Sequence, residues 1–199
     1  GILRVTGGGS RKVGEPVGVP ALVMITEHYN QILRLIEKKE TVRLSVDVKA
    51  QFTSEDDRMA YNTLADLPGG SRKNELVMIG AHLDSWHTGT GAADNAAGVA
   101  VMMEAMRILK ASGLKPKRTI RIGLWSGEEQ GLLGSSAYVE KHFAELPPPA
   151  DPKMKDLPRS LQEAPLPPVY KVDHKRISAY YNYDNGGGRI RGIYAQENL

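Results

Sequence analysis

The sequence predicts an α/β fold with a parallel strand pair at its centre. Three observations point there. Strand and helix patterns alternate from about residue 76 to residue 143. Leu76-Val-Met-Ile-Gly-Ala81 is an uninterrupted apolar run, the pattern of a strand covered on both faces. Three predicted strands end in an imidazole or a carboxylate, at His82 and Asp84, at Glu128 and Glu129, and at Asp184. A strand, helix, strand order implies a right-handed crossover between parallel strands.

The elements follow in order. Residues 1–19 are rich in Gly, Arg and Lys and read as loop. Pro20 to Ile25 suits a short buried strand. Thr26 to Lys39 places Tyr29, Ile32, Leu33 and Ile36 on one helical face, with Thr26 as the expected N-cap. Thr41 to Phe52 alternates through Val42, Leu44, Val46 and Val48 as a half-exposed strand does. These pieces would make a small β-α-β unit over residues 1–52, ahead of a second unit over 53–199. Tyr61 to Leu67 reads as a strand after a polar stretch, and Pro68-Gly-Gly70 as a turn. Asp94 to Ser112 reads as a helix with a stripe of Val99, Met102, Met103, Met106 and Leu109, closed by Gly113. Arg118 to Trp125 is the next strand and Leu132 to Phe143 the next helix. Residues 145–172 are Pro-rich and without clear periodicity, and read as an excursion. Ile177 to Tyr183 is the last strand.

Composition bounds the function. The 199 residues allow one full domain, or one domain and a piece of another. An apolar content of 41% and a charged content of 25% are those of an ordinary globular protein. Cys is absent, which excludes disulfides, thiolate metal sites and a Cys nucleophile. The net charge is +3, with Lys and Arg spread along the chain, so no nucleic-acid surface is predicted. No apolar run reaches the length of a membrane span. The first residue is Gly, which suggests a processed start and an export signal outside the sequence, hence a periplasmic or extracellular protein.

The chemistry collects at the predicted strand ends. In open α/β sheets ligands bind outside the carboxyl ends of the strands. There the sequence delivers His82, Asp84, Glu128, Glu129 and Asp184, with Asp94 at a predicted helix start. Each close carboxylate pair costs roughly 4 kcal/mol at an effective dielectric of ~20. No Lys or Arg lies within HLDSW, GAADNAAG or SGEEQG to offset it. A divalent cation is the natural counter-charge, and two would use the acids better than one. Imidazole and carboxylate donors without thiolate suit zinc and admit manganese or cobalt. Read singly, each residue has a plainer role: Asp94 as a helix N-cap, the Glu pair as a solvated helix start, Asp184 before three Gly as a turn residue. His28, His142 and His174 read as surface residues, His87 as a loop residue near the cleft, and Trp86 and Trp125 as side chains packed near the site.

The motifs AHLDSW, GAADNAAGV, LWSGEEQGLLGS and YYNYDNGGGRIRG resemble, in order and spacing, those of the M28 family of zinc peptidases, the aminopeptidase and carboxypeptidase Q-like type. The resemblance covers about residues 60–199, and residues 16–52 resemble the closing part of a protease-associated insert. It implies a three-layer zinc-exopeptidase core with a mostly parallel mixed sheet, C-terminally truncated and preceded by part of a small α+β insert. It also implies roles. His82 and Asp184 would bind one zinc, Glu129 the other, and Asp94 would bridge both. Glu128 would be general base and acid. Asp84 would stand behind His82 and fix its tautomer. The Asp94–Asn95 bond would be cis. Two such metals would hold a hydroxide and polarise the scissile carbonyl of a peptide or dipeptide substrate.

The family's second metal-binding His lies far downstream, and no His follows Asp184 here. The sequence is therefore expected to be a fragment that holds one Zn2+ or none and turns over little peptide. A mono-zinc enzyme similar to glutaminyl cyclases and a non-catalytic binding module are the competing expectations. An open sheet edge would leave room for self-association.

Overall fold

The structure is a computed structural model that describes residues 2–6, 21–47, 59–86, 89–145, 147–154, 167–184 and 186–193. The chain divides into two compact units, Gly1–Arg58 and Met59–Leu199.

In the first unit, β1 (Ile2–Thr6) pairs antiparallel with β2 (Ala21–Met24). The opening residues, expected as loop, thus contain a strand, because β2 offers their backbone a ladder that the polar composition gave no hint of. Helix α1 (Thr26–Glu37) follows directly. Its N-cap is Ile25, not Thr26, and no side chain caps it. The expected strand over 41–52 is not formed at 41–47, where Leu44 and Val46 are exposed. Alternation alone makes no strand without a partner edge, and none is present among the described residues. Residues 48–52 lie outside them, as do 7–20.

The second unit is built on a four-stranded sheet in the order β3-β5-β4-β8, with β3 (Thr63–Leu67), β4 (Arg72–His82), β5 (Arg118–Trp125) and β8 (Ile177–Asn182). β4 runs parallel to both β5 and β8, and β3 lies antiparallel on β5. The mixed, mostly parallel sheet is the expected one. Side-chain alternation along β4 builds two cores. Leu76 and Met78 pack with Trp125, Tyr138 and Phe143 on the face of helix α3 (Leu133–His142). Ile79 and Ala81 pack with Ile122, Leu124, Met102 and Met106 on the face of helix α2 (Ala97–Ala111). Met103, expected in that stripe, is exposed, since the helix turns it away from the sheet. Gly113, with φ of +70°, follows the end of α2 as the sequence predicts.

The Pro-rich excursion is tied at its root. β6 (Ala144–Glu145) pairs antiparallel with β7 (Val169–Tyr170). Residues 155–166 lie outside the described ones. Among the described residues no helix is long and apolar enough to cross a membrane.

The β3 edge is secured by charge as well as backbone. Arg121 donates to both Asp66 oxygens at 2.7 Å and to the Tyr138 hydroxyl at 2.8 Å. The hydrogen bond from Arg121 holds the Asp66 carboxyl below its ordinary range, and partial burial opposes this. A depressed folded-state pKa stabilises above the unfolded value and is lost as pH falls through the folded one. Asp66→Asn should therefore cost about 1 kcal/mol at neutral pH, as a well-formed but solvent-facing ion pair does. The difference from wild type should shrink below about pH 4, where the unfolded carboxyl protonates. Urea unfolding at pH 7 and pH 3 measures both.

Candidate metal centre

The carboxyl ends of β4, β5 and β8 come together, and each contributes to one cluster. β4 delivers His82, the last residue of the strand, only 2% exposed. Its parallel registration with β5 sets His82 opposite Trp125, three residues before Glu128. β8 ends two residues before Asp184. Asp94 arrives on a kinked turn, Ala92–Ala96, ahead of α2. The expected helix does not begin at Asp94, because Asp94 and Asn95 have non-helical backbones and the peptide between them is cis.

His82 Nε2 lies 2.9 Å from Asp94 Oδ1 and 3.1 Å from Asp184 Oδ1, with Glu128 Oε2 at 3.9 Å. Nδ1 lies 3.1 Å from the backbone carbonyl oxygen of Asp84 and 3.5 Å from its carboxylate. A proton on Nδ1 is donated to that carbonyl, and Nε2 then turns a lone pair toward two carboxylate oxygens. Acceptors facing acceptors require a proton or a cation between them. Burial lowers the basicity of the ring, but Asp184, Glu128, Asp94 and Asp84 outweigh it and the His82 pKa is raised.

The two Glu side chains carry the same imbalance. Burial pushes the Glu128 carboxyl upward, and Asp184, Glu129 and Asp84 add to it. Burial likewise raises Glu129, with Asp94, Asp84 and Asp184 adding. The charge of the His82 ring opposes the rise at both. Glu129 Oε1 is buried without a hydrogen-bond partner. An orphaned carboxylate oxygen among further acids fits a cation ligand.

Asp84 does something the sequence did not suggest. Its Oδ1 accepts the backbone N–H of Glu128 at 3.1 Å and its Oδ2 that of Glu129 at 3.2 Å. It was expected to hold His82 through its carboxylate. Instead the backbone carbonyl meets the ring more closely, and the carboxylate fastens β4 to the Glu128–Glu129 turn.

Two further residues were missed. Asn95, 1% exposed, donates to the Tyr183 carbonyl at 2.8 Å and accepts the Gly98 N–H at 3.2 Å. It joins the Asp94 turn to the residue before Asp184. A side chain at 98 would collide with the Asn95 amide, so the Gly belongs to the device. The cap spacing Asn95 to Gly98 was a readable signal. Asn62 bonds to Ser126 and Gly134, more than sixty residues away, and nothing local announces it.

Of the expected ligands, His82, Asp94 and Asp184 offer donor atoms within 4.8 Å of one another and could hold one metal ion. Glu129 stands outside that group. His87 lies outside the described residues. His142 meets the Tyr138 ring at a tilt and His174 stacks on Tyr170, and neither belongs to the three-donor group.

Comparison with known proteins places this arrangement. The pattern of Peptidase family M28 matches residues 62–155. The segment 62–155 belongs to peptidase family M28. A carboxypeptidase Q from Xenopus laevis is 35% identical over 124 residues, 62% of this chain and 26% of the relative. The leupeptin-inactivating enzyme 1 of Streptomyces exfoliatus is 44% identical over 137 residues, 69% of this chain and 25% of that enzyme. The crystal structure of a peptidase M28 precursor from Shewanella amazonensis matches with a TM-score of 0.53 and 33% identity, over 69% of this chain and 30% of that one. The matched segment therefore spans about a quarter of the length of these curated relatives.

Zinc added at about a hundred times its dissociation constant should stabilise the protein by ~2.7 kcal/mol. For a unit of this size that is roughly 10 °C in melting temperature. Asp94→Asn should lose most of the shift while folding normally, as differential scanning calorimetry with and without zinc will read.

Proposed function

We propose that this protein is a metal-dependent exopeptidase of the M28 type, cleaving a peptide bond next to a chain end. The observation that carries the reading is the convergence of the Asp94 and Asp184 carboxylates on His82 Nε2. The printed name of the carboxypeptidase Q relative supports hydrolysis at a chain terminus. The donor set, imidazole and carboxylate without thiolate, favours zinc.

In this reading His82, Asp94 and Asp184 hold one ion. Glu129, with its unpartnered oxygen, would join Asp94 in holding a second. The first position has three protein ligands and the second has two, so the first fills at lower metal concentration. The metal, when bound, supplies Lewis acidity toward the scissile carbonyl and acidifies water. The residues do the rest. Glu128 is the group left free, within the cluster but outside the three-donor set. Its raised pKa suits a side chain that takes a proton from the attacking water and later gives it to the leaving amine. Asp84 holds the N–H groups of both Glu residues, so their side chains can diverge while the backbone stays fixed. The residues 1–52 are proposed to be the end of a protease-associated insert, separate in role from this chemistry.

Glu128→Gln tests the assignment. It should lower turnover of dipeptide and aminoacyl substrates by about 10²–10⁴-fold. Metal content, by elemental analysis, should stay at the wild-type value near one ion per chain. A variant that retains turnover removes Glu128 from the mechanism.

A further inference from the structure

The loop that carries Glu128 and Glu129 is closed on itself. Gly134 N–H donates to the Ser126 carbonyl at 2.9 Å and Leu133 N–H to that of Gly127 at 3.0 Å. Gly131 and Leu132 both donate to the Glu128 carbonyl, at 2.8 and 2.9 Å. Leu132 is held at a φ of +59°, a backbone that a branched side chain adopts only where its surroundings impose it.

Two side chains from outside grip this loop. Asp84 grips its middle. The other is Asn62, the residue before β3. Its Oδ1 accepts the Ser126 N–H at 3.1 Å and its Nδ2 donates to the Gly134 carbonyl at 2.8 Å. One amide therefore spans the two ends of the loop. Gly134 leaves the space for it, since a Cβ there would collide with Asn62 Oδ1 and the Ser126 carbonyl. Asn62 carries no charge and forms no part of the carboxylate cluster. The position asks for one acceptor and one donor at fixed separation. Asp would turn an oxygen toward the Gly134 carbonyl, and Ala would remove the acceptor of the Ser126 N–H together with the side-chain donor to Gly134.

We propose that Asn62 is a positioning residue for this reaction: its amide closes the mouth of the Ser126–Gly134 loop and so fixes where Glu128 and Glu129 project. The catalytic consequence rests on the peptidase reading; the structural one does not. A proton-transfer group displaced by about 1 Å loses on the order of a hundredfold in rate. The β3 edge strand thereby contributes to a site that none of its own side chains reaches.

The test uses the full chain with Asn62→Asp and Asn62→Ala, read by amide hydrogen exchange and by kinetics of the zinc-loaded protein. The Glu128 and Glu129 N–H groups should exchange about tenfold faster in both variants, with the β4 amides of Val77–Ala81 unchanged. In the zinc-loaded protein kcat should fall about 10–100-fold with KM within about twofold. In the wild-type protein one Asn62 side-chain amide proton should be protected from exchange, a measurement that needs no variant. Rapid exchange of both those protons overturns the proposal. So do Glu128 and Glu129 amides that keep their wild-type rates in Asn62→Asp, or an acceleration spread evenly over β4. A wild-type protein that takes up no zinc sinks the metallopeptidase reading instead, and the exchange results still judge Asn62.

Discussion

Like charges brought together at the carboxyl edge of the sheet are the constraint on which the rest of the second unit turns. His82 Nε2 faces Asp94 and Asp184 at hydrogen-bond distance, and Glu128 and Glu129 stand close behind. The carboxylates repel one another, and at Glu128 and Glu129 this adds to burial in raising the pKa. A protein relieves such strain by moving the acids apart, by protonating them or by placing a cation among them. Moving them apart is prevented, because His82, Asp94, Asp184 and the Glu128–Glu129 pair are carried on four separate segments joined to the packed sheet.

The restraint is made of side chains that grip backbone. Asp84 takes two N–H groups from the Glu128–Glu129 turn. Asn95 joins the Asp94 turn to Tyr183. Asn62 spans the ends of the Ser126–Gly134 loop. In each case a polar side chain of one strand end or turn satisfies the main chain of its neighbour. The two Asn contacts carry no charge, so they hold their turns in place whether or not a cation balances the acids. Buried polar groups of this kind are costly when half satisfied and rigid when fully satisfied.

What the sequence revealed and what it hid follow from range. The apolar run Leu76–Ala81 and the strand Arg118–Trp125 were legible because burial on both faces leaves an unbroken hydrophobic signature. The acids at their ends were legible because strand ends are where such sheets present ligands. The strand Ile2–Thr6 was not, since its stability comes from pairing with Ala21–Met24 and not from its own pattern. The alternation over 41–47 misled for the converse reason: a period of two describes a strand only where another strand stands beside it. Asp84 stands behind His82 as expected, with its carboxylate 3.5 Å from Nδ1, but its bonds to residues 128 and 129 were hidden, because HLDSW says nothing of the backbone that arrives there. Asn62 was invisible altogether.

Glu128 and Glu129 show why local sequence cannot assign chemical roles in this cluster. They are adjacent, chemically identical and both raised by burial first. Their neighbours differ. Glu128 comes within 3.9 Å of His82 Nε2 and is acted on by Asp184, whereas Glu129 feels Asp94 most among the carboxylates and keeps one oxygen buried without a partner. A buried oxygen with no donor suits a permanent ligand, for which a fixed position is an advantage. A carboxyl close to the imidazole, and not committed to the three-donor group, suits a proton carrier, whose task is to change state. The proposed division of labour would rest on the turn that carries both side chains, whose two N–H groups Asp84 accepts.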